Sequence, residues 1–211
     1  MGRISKGILG GFSGKVGTVI GGTWKGIDYM RSQSSARRTS FSPAQLEQQA
    51  KFSTGVKFTT PMAGLFDVSF RDYAIKMTGQ NNALRYTLKN AIAGAYPAYT
   101  VDYSMALVSR GDLPNALSPA AVTSSGAVNF SWSDNTGTGK AAATDKSILV
   151  VYCPAKQASV YTTTGPDRST GAGSLAVPAF VGEQVQTYIG FISEDGKNIA
   201  SSVFTGTLTV V

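Results

Sequence analysis

Short runs of alternating apolar and polar residues, separated by turn-forming clusters, fill the second half of the chain. Alternation with a period of two is typical of strands with one buried face, and a continuous apolar run is typical of a strand buried on both faces. The alternating runs are 127–132, 184–193 and 202–210, the continuous run is Ile148–Cys153, and shorter candidates lie at 159–163 and 174–177. We expect about seven strands here, which favours an immunoglobulin- or fibronectin-III-like antiparallel β-sandwich over residues 111–211.

The pattern changes to helical spacing in residues 42–110. Ser42 and Gln45 fit a capping box around Pro43, which suits a first helical position, and the following spacing predicts a helix from about Pro43 to Thr59. A second helix is expected from about residue 81 or 82 to a stop at Gly94. The segment 65–77 between them is ambiguous between helix and extended chain, and we favour the helix.

The first segment, residues 1–41, is rich in glycine and basic. The pair Gly21-Gly22 lies between two runs that read as strands, 16–20 and 23–30, and predicts a tight hairpin turn. Glycines weaken strands, so this β-hairpin arm needs another surface to lie against. The chain is therefore expected to be an α+β protein with an N-terminal β-hairpin arm, a helical segment and a C-terminal β-sandwich.

Net charge is unevenly divided among these segments. Seven basic residues against Asp28 alone give residues 1–41 a charge of +6, whereas residues 42–110 carry +3 and residues 111–211 carry −2. Within the arm, cations stand near aromatic rings, as in proteins that neutralise phosphates and stack bases. Nucleic-acid contact is thus one hypothesis, carried by Lys15, Lys25, Arg31, Arg37 and Arg38.

The residue types that most enzymes need are scarce. The chain has no histidine, which excludes histidine acid–base chemistry and histidine metal sites, and its single Cys153 lies in an apolar run, as expected of a buried small side chain. Arg85 and Lys89 could line a site, but on a helix they more simply form an exposed face. We expect no catalytic residue, no cofactor and no metal.

The chain also lacks the hydrophobic segments that direct proteins to a membrane or anchor them in it. No window approaches 18 consecutive apolar residues, and the N-terminus makes a poor signal peptide. We expect a soluble protein made in the cytoplasm, without a membrane span, that ends in a virion or a released assembly.

Several short motifs stand out along the chain: 7–17, Trp24-Lys25-Gly26 with Arg31, 90–97, Asp102-Tyr103-Ser104 and Ser109-Arg110-Gly111. They resemble a domain-of-unknown-function family from Bacteroidota whose members are about as long as this chain. The resemblance covers the whole chain and implies relatives, but it brings no activity or binding residues with it.

Together these features favour a non-enzymatic, self-assembling structural protein, such as a virion or phage-derived particle component or a filament subunit. Its partners are expected to be copies of itself or other structural subunits, through exposed apolar residues and main-chain pairing at a sheet edge. The expected assembly contacts are Trp24, Ile27, Tyr29, Val203 and Phe204. The alternative is a carbohydrate- or surface-binding module that uses the sandwich loops 134–144 and 162–173, and nucleic-acid binding comes third.

Overall fold

The structure is a computed structural model. It describes residues 2–4, 7, 10–34, 40–73 and 75–211. The chain forms two compact units, Met1–Gln45 and Leu46–Val211. The expected border between residues 110 and 111 lies inside the second unit, because the helices and the β-rich segment share hydrophobic cores there.

In the described part of the helical segment there are three α-helices, joined by short 3-10 turns. They are α1 (Pro43–Thr59), α2 (Ala63–Ser69) and α3 (Gly79–Asn90), with 3-10 turns at Thr60–Met62 and Arg71–Tyr73. The expected bounds of α1 are confirmed. So is its capping box, in which the Ser42 backbone N–H donates to Gln45 Oε1 at 3.0 Å and the Gln45 N–H donates to Ser42 Oγ at 3.4 Å.

The other two predictions for the helical segment need correction. α3 begins at Gly79 because the Thr78 side chain caps it, accepting a hydrogen bond from the Asn81 N–H at 3.1 Å. It ends at Asn90, and Gly94 lies in the strand that follows. Between residues 65 and 77 the α-helix ends at Ser69.

Thirteen strands form four antiparallel sheets in the described part of the chain. The orders are β1-β2-β3-β4, β10-β9-β12-β13, β11-β8-β7 and β5-β6. The strands are β1 (Arg3–Ile4), β2 (Phe12–Val16), β3 (Val19–Trp24), β4 (Ile27–Ser32), β5 (Ile92–Ala95), β6 (Ala98–Val101), β7 (Leu117–Ser124), β8 (Ala127–Ser133), β9 (Lys146–Cys153), β10 (Ala158–Thr162), β11 (Ala172–Ala176), β12 (Gln184–Ile192) and β13 (Val203–Thr209). The fold is thus mixed α+β.

The sheet β10-β9-β12-β13 is the middle layer of the second unit. Alternate residues of β9 face opposite ways: Ile148, Val150 and Tyr152 join the core formed with the helices, whereas Leu149 and Val151 join a second core shared with the sheet β11-β8-β7. Both faces of β9 are covered, which explains its continuous apolar sequence. Cys153 faces the second core and is fully buried, as expected.

Two large aromatic residues of the β-rich segment, Trp132 and Tyr188, are both buried. Trp132 on β8 packs edge-on against Phe191 at 5.6 Å between ring centres. Tyr188 on β12 is fully buried, and its hydroxyl donates to the Tyr103 carbonyl oxygen at 2.9 Å. Each ring therefore belongs to a hydrophobic core, and each polar atom has a partner, since Trp132 Nε1 donates to the Arg168 carbonyl.

Candidate assembly surface on the N-terminal sheet

The N-terminal sheet turns at positions other than those predicted. Gly21-Gly22 lies inside β3, and the turns are Gly17-Thr18 and Lys25-Gly26. Lys25 and Gly26 both have positive φ, 45° and 80°, which is the backbone conformation of a type I′ hairpin turn. The arm is thus a β2-β3-β4 meander with the short β1 beside it, rather than a single hairpin.

The register places most of the expected contact residues on one face. β3 pairs Ile20 with Arg31, Gly22 with Tyr29 and Trp24 with Ile27, and β2 pairs Lys15 with Ile20. Residues directly opposite each other in an antiparallel pair project from the same face. We call this the Trp24 face, and its side chains are Lys15, Ile20, Trp24, Ile27, Tyr29 and Arg31.

Two glycines in β3 make room for aromatic rings. A Cβ at Gly21 would lie 2.2 Å from the Phe12 carbonyl oxygen and 2.6 Å from a ring carbon of Phe12. A Cβ at Gly22 would lie 3.0 Å from the Tyr29 hydroxyl oxygen. The glycine pair is therefore explained by close approach within a strand, not by a turn.

The sheet has almost no interior of its own. Of residues 10–34, all of which the structure describes, only Gly21 is buried. On the Trp24 face, Trp24 is 52% exposed and Ile27 and Tyr29 are each 46% exposed. The other face also exposes Val16, Val19 and Met30, a set that the sequence reasoning did not single out.

β4 offers a backbone edge beside this apolar surface. It is last in the order β1-β2-β3-β4, and all its residues from Ile27 to Ser32 are exposed. In the described part of the chain, no strand pairs with its outer side. A strand with free N–H and C=O groups is a template for pairing with another chain.

The two expected assembly contacts near the C-terminus, Val203 and Phe204, are less exposed than those on the N-terminal sheet. Val203 and Phe204 are half-buried in β13, where Val203 packs against the core between the two sheets and Phe204 packs against Tyr188 at 5.3 Å between ring centres. β13 is an edge strand, as expected, but it also contacts β7. Their role as subunit contacts stays a prediction, and their packing gives them a structural role within the unit.

The expected nucleic-acid contacts are divided among three places. Lys15 and Arg31 lie on the Trp24 face, and Lys25 lies in the turn between β3 and β4. Arg37 and Arg38 lie outside the described residues. The structure thus brings Lys15 and Arg31 together with Trp24 and Tyr29, which the sequence could not show without the register.

The loops of the carbohydrate-binding alternative lie side by side and are tied together by one arginine. Arg168 is fully buried, and it donates to Asp145 Oδ2 at 3.0 Å, to Asn135 Oδ1 at 2.7 Å and to the Pro114 carbonyl oxygen at 3.0 Å. This makes Arg168 a structural link between the loops. Carbohydrate binding itself stays a prediction.

Metal-ligating clusters and membrane-spanning helices are both absent from the described residues. Among the described residues, no group of three or more Cys, Asp or Glu side chains is placed to hold a metal ion. Within the same part of the chain, no helix has both the length and the apolar character needed to cross a membrane.

Comparison with known proteins gives a family and nothing beyond it. A search of curated proteins and a search of solved structures each found no match. One family model, described as a family of unknown function (DUF6266), matches residues 11–206. The expected resemblance to a family of unknown function is therefore confirmed, whereas the Bacteroidota origin stays an expectation. Because the match includes the N-terminal sheet from β2 onward and the second unit as far as β13, the chain belongs to the DUF6266 family.

Proposed function

We propose that the protein is a non-enzymatic structural subunit that assembles with copies of itself through the Trp24 face and the β4 edge, in a virion, a phage-derived particle or a filament. The observation that carries the proposal is a four-stranded sheet without a buried apolar side chain in residues 10–34. A sheet gains its stability from a buried apolar face. The missing cover is supplied by a neighbouring copy.

Covering the exposed aromatic rings contributes a large part of the free energy of association. A fully covered aromatic side chain buries about 150–250 Å², so the half-exposed Trp24 and Tyr29 each leave roughly 100 Å² to be covered. At about 25 cal/mol per Å², each ring contributes roughly 2–3 kcal/mol to an interface. Pairing at the β4 edge adds main-chain hydrogen bonds.

The charge distribution supports a second copy as the occupant. The segment that contains the sheet, residues 1–41, carries +6, and residues 111–211 carry −2. A cationic sheet of one copy and the acidic part of another attract each other, and like-sign contacts between two sheets are disfavoured. This complementarity favours a head-to-tail arrangement, which closes into rings or grows into filaments.

The test is sedimentation velocity and mass photometry of the full chain over a range of concentrations, with negative-stain imaging of the products. We expect concentration-dependent assemblies, which Trp24→Ser and Tyr29→Ser each weaken by about tenfold or more. Tyr96→Ser is the matched control, because Tyr96 is 51% exposed but lies in the second unit. A chain that stays monomeric at high concentration, or an equal effect of all three variants, would contradict the proposal.

Nucleic-acid binding is a second candidate function, favoured by one specific observation. Lys15 and Arg31 share a face with Trp24 and Tyr29, so that cations and stacking rings stand together. Single-stranded DNA binding should then weaken steeply with salt, and Lys15→Gln and Arg31→Gln should each reduce the salt dependence. Fluorescence anisotropy with a labelled oligonucleotide measures both quantities, and binding that ignores salt would contradict this candidate.

For the second unit we propose an immunoglobulin- or fibronectin-III-like sandwich built from β7 to β13. Support comes from seven consecutive strands divided between two antiparallel sheets, β11-β8-β7 and β10-β9-β12-β13, with one core between them. In aligned sandwiches the mean strand directions of the sheets differ by about 30°. A crystal structure with orthogonal sheets would contradict the assignment.

A further inference from the structure

A cavity of about 440 Å³ lies in the second unit, where α3, the 3-10 turn at Arg71–Tyr73 and Arg110 meet. This volume falls within the range of small-molecule sites. The wall carries three cations, Arg85, Lys89 and Arg110.

Arg85 and Lys89 lie four residues apart on α3, and therefore on the same face. Like charges at this spacing destabilise a helix by a few tenths of a kcal/mol. Within the part of the chain that the structure describes, no carboxylate forms an ion pair with Arg85, Lys89 or Arg110. The three positive charges thus converge on the cavity without an internal counter-ion.

Two tyrosines hold Arg110 in place. Its guanidinium carbon lies 4.3 Å from the ring centre of Tyr73 and 5.6 Å from that of Tyr86. Its backbone N–H donates to the Ser69 carbonyl oxygen at 3.1 Å. Arg110 thus lies over both rings, and its guanidinium N–H groups can donate to an acceptor in the cavity.

Asn82 adds an unsatisfied hydrogen-bond donor to the same wall. It is 4% exposed, and among the described residues its Nδ2 atom has no hydrogen-bond partner. A buried donor without an acceptor costs about 1–3 kcal/mol. Nδ2 is shielded from solvent, so a rotation of the side chain would be needed for an acceptor atom of a bound molecule to reach it and remove that cost.

A carboxylate that contacts the wall, Asp112, already has a partner. The Tyr73 hydroxyl donates to Asp112 Oδ1 at 3.2 Å. Burial raises the pKa of Tyr73, and the hydrogen bond to Asp112 adds to this effect, so the phenol stays neutral at neutral pH. The balance of charge at the cavity therefore remains positive.

We propose that this cavity binds the phosphate group of a small phosphorylated molecule. A phosphate monoester carries nearly two negative charges at neutral pH and has three strong acceptor oxygens, which suits three cations and an amide donor. The cavity is larger than a phosphate ion, and the remaining space takes the rest of the molecule. The site goes beyond the assembly function and does not depend on it, because all its residues lie in the second unit.

The test is isothermal titration calorimetry of the full chain with pyrophosphate and with glucose 6-phosphate, at constant ionic strength. We expect both probes to bind and neutral glucose to show no binding. Arg85→Gln and Arg110→Gln should each weaken binding about ten- to hundredfold, the usual cost of a lost hydrogen bond to a charged group. Lys140→Gln is the control, because Lys140 is exposed and lies outside the cavity wall.

Each remaining outcome would overturn the proposal. Absence of binding at millimolar concentrations of both phosphorylated probes excludes the site, and equally tight binding of citrate excludes phosphate as the preferred group. Equal weakening by Lys140→Gln shows non-specific attraction to a basic surface. Arg85 is exposed, so Arg85→Gln carries the test if Arg110→Gln fails to fold, which thermal unfolding reveals.

Discussion

The buried ion pair between Arg168 and Asp145 should be the most sensitive electrostatic feature of the second unit. The two side chains are 0% and 1% exposed, and Arg168 Nε lies 3.0 Å from Asp145 Oδ2. We expect Arg168→Met to destabilise the unit by about 3–5 kcal/mol, the usual cost of removing one partner of a buried pair. For a unit of this size, each kcal/mol lowers Tm by about 2–4 °C.

The magnitude follows from what the substitution leaves behind. Among the described residues, one hydrogen-bond donor would remain for the buried Asp145 carboxylate, the Ala142 N–H at 2.9 Å. The Pro114 carbonyl oxygen and Asn135 would lose their hydrogen bonds to Arg168. An unpaired buried charge costs several kcal/mol, whereas removing both charges costs much less. The double variant Arg168→Met/Asp145→Leu should therefore be more stable than Arg168→Met alone.

Urea denaturation followed by tryptophan fluorescence measures these effects. The chain has two tryptophans, Trp24 in the first unit and the buried Trp132 in the second, so a Trp24→Phe background isolates the signal of the second unit. Lys146→Met is the matched control. Its ion pair with Asp167 is exposed, and we expect a loss of about 1 kcal/mol or less.

The double variant separates an unpaired charge from simple loss of packing. If the loss in Arg168→Met came from packing alone, removing the Asp145 carboxylate as well would not restore stability. A double variant less stable than Arg168→Met would refute the reasoning.

Two further substitutions test other parts of the structure. Gly21→Val should disrupt the pairing of β2 with β3, at a cost of about 1–3 kcal/mol, because the Cβ of the valine would meet Phe12. Amide hydrogen exchange measured by NMR should become faster in residues 10–34 only. Ser13→Val is the control. The Asp195 carboxylate accepts hydrogen bonds within its own turn, and these lower its pKa to about 2. The stability that they contribute is present above the ordinary pKa of about 3.9 and is lost as the pH falls through about 2, so Asp195→Asn and wild type should converge over that window in acid denaturation.

The sequence predicted those elements whose signals are local. The ends of α1 follow from Ser42, Pro43 and Gln45, which act within one turn. The period-two pattern likewise predicted β12, and the apolar run predicted β9. In each case the residues that determine the element lie within it or next to it.

The predictions are wrong where contacts between residues distant in the sequence determine the local structure. Gly21-Gly22 and Lys25-Gly26 are both acceptable turn sequences, and the rings of Phe12 and Tyr29, which need space over β3, decide between them. The Thr78 cap that begins α3 is a local signal that the sequence interpretation missed. The need for glycine at position 79 is not local, because a Cβ there would meet the Phe66 carbonyl oxygen, a contact between α2 and α3. No local pattern contains this information.

The proposed phosphate site also combines residues that the sequence identifies with a contact that only the structure shows. Arg85 and Lys89 are recognisable from the sequence as a basic helix face, for which solvent exposure is the simpler interpretation. The structure changes that interpretation by bringing Arg110 beside them, stacked on Tyr73 and Tyr86. A site made of one helix and a distant loop is visible only after the chain has folded.

The charges of the second unit decide which force should dominate assembly. Residues 111–211 carry an excess of acid, but Asp145 is paired with Arg168, and three more of their carboxylates form ion pairs with lysines. Asp112, Asp134 and Glu194 have no ion pair among the described residues and can attract the cationic sheet, but exposed charges are screened within about 8–10 Å at physiological salt. Burial of the Trp24 face must then supply most of the free energy, because salt does not weaken hydrophobic contacts in this way. Self-assembly should therefore persist at salt concentrations that abolish nucleic-acid binding, so salt dependence separates the two proposed uses of the same face.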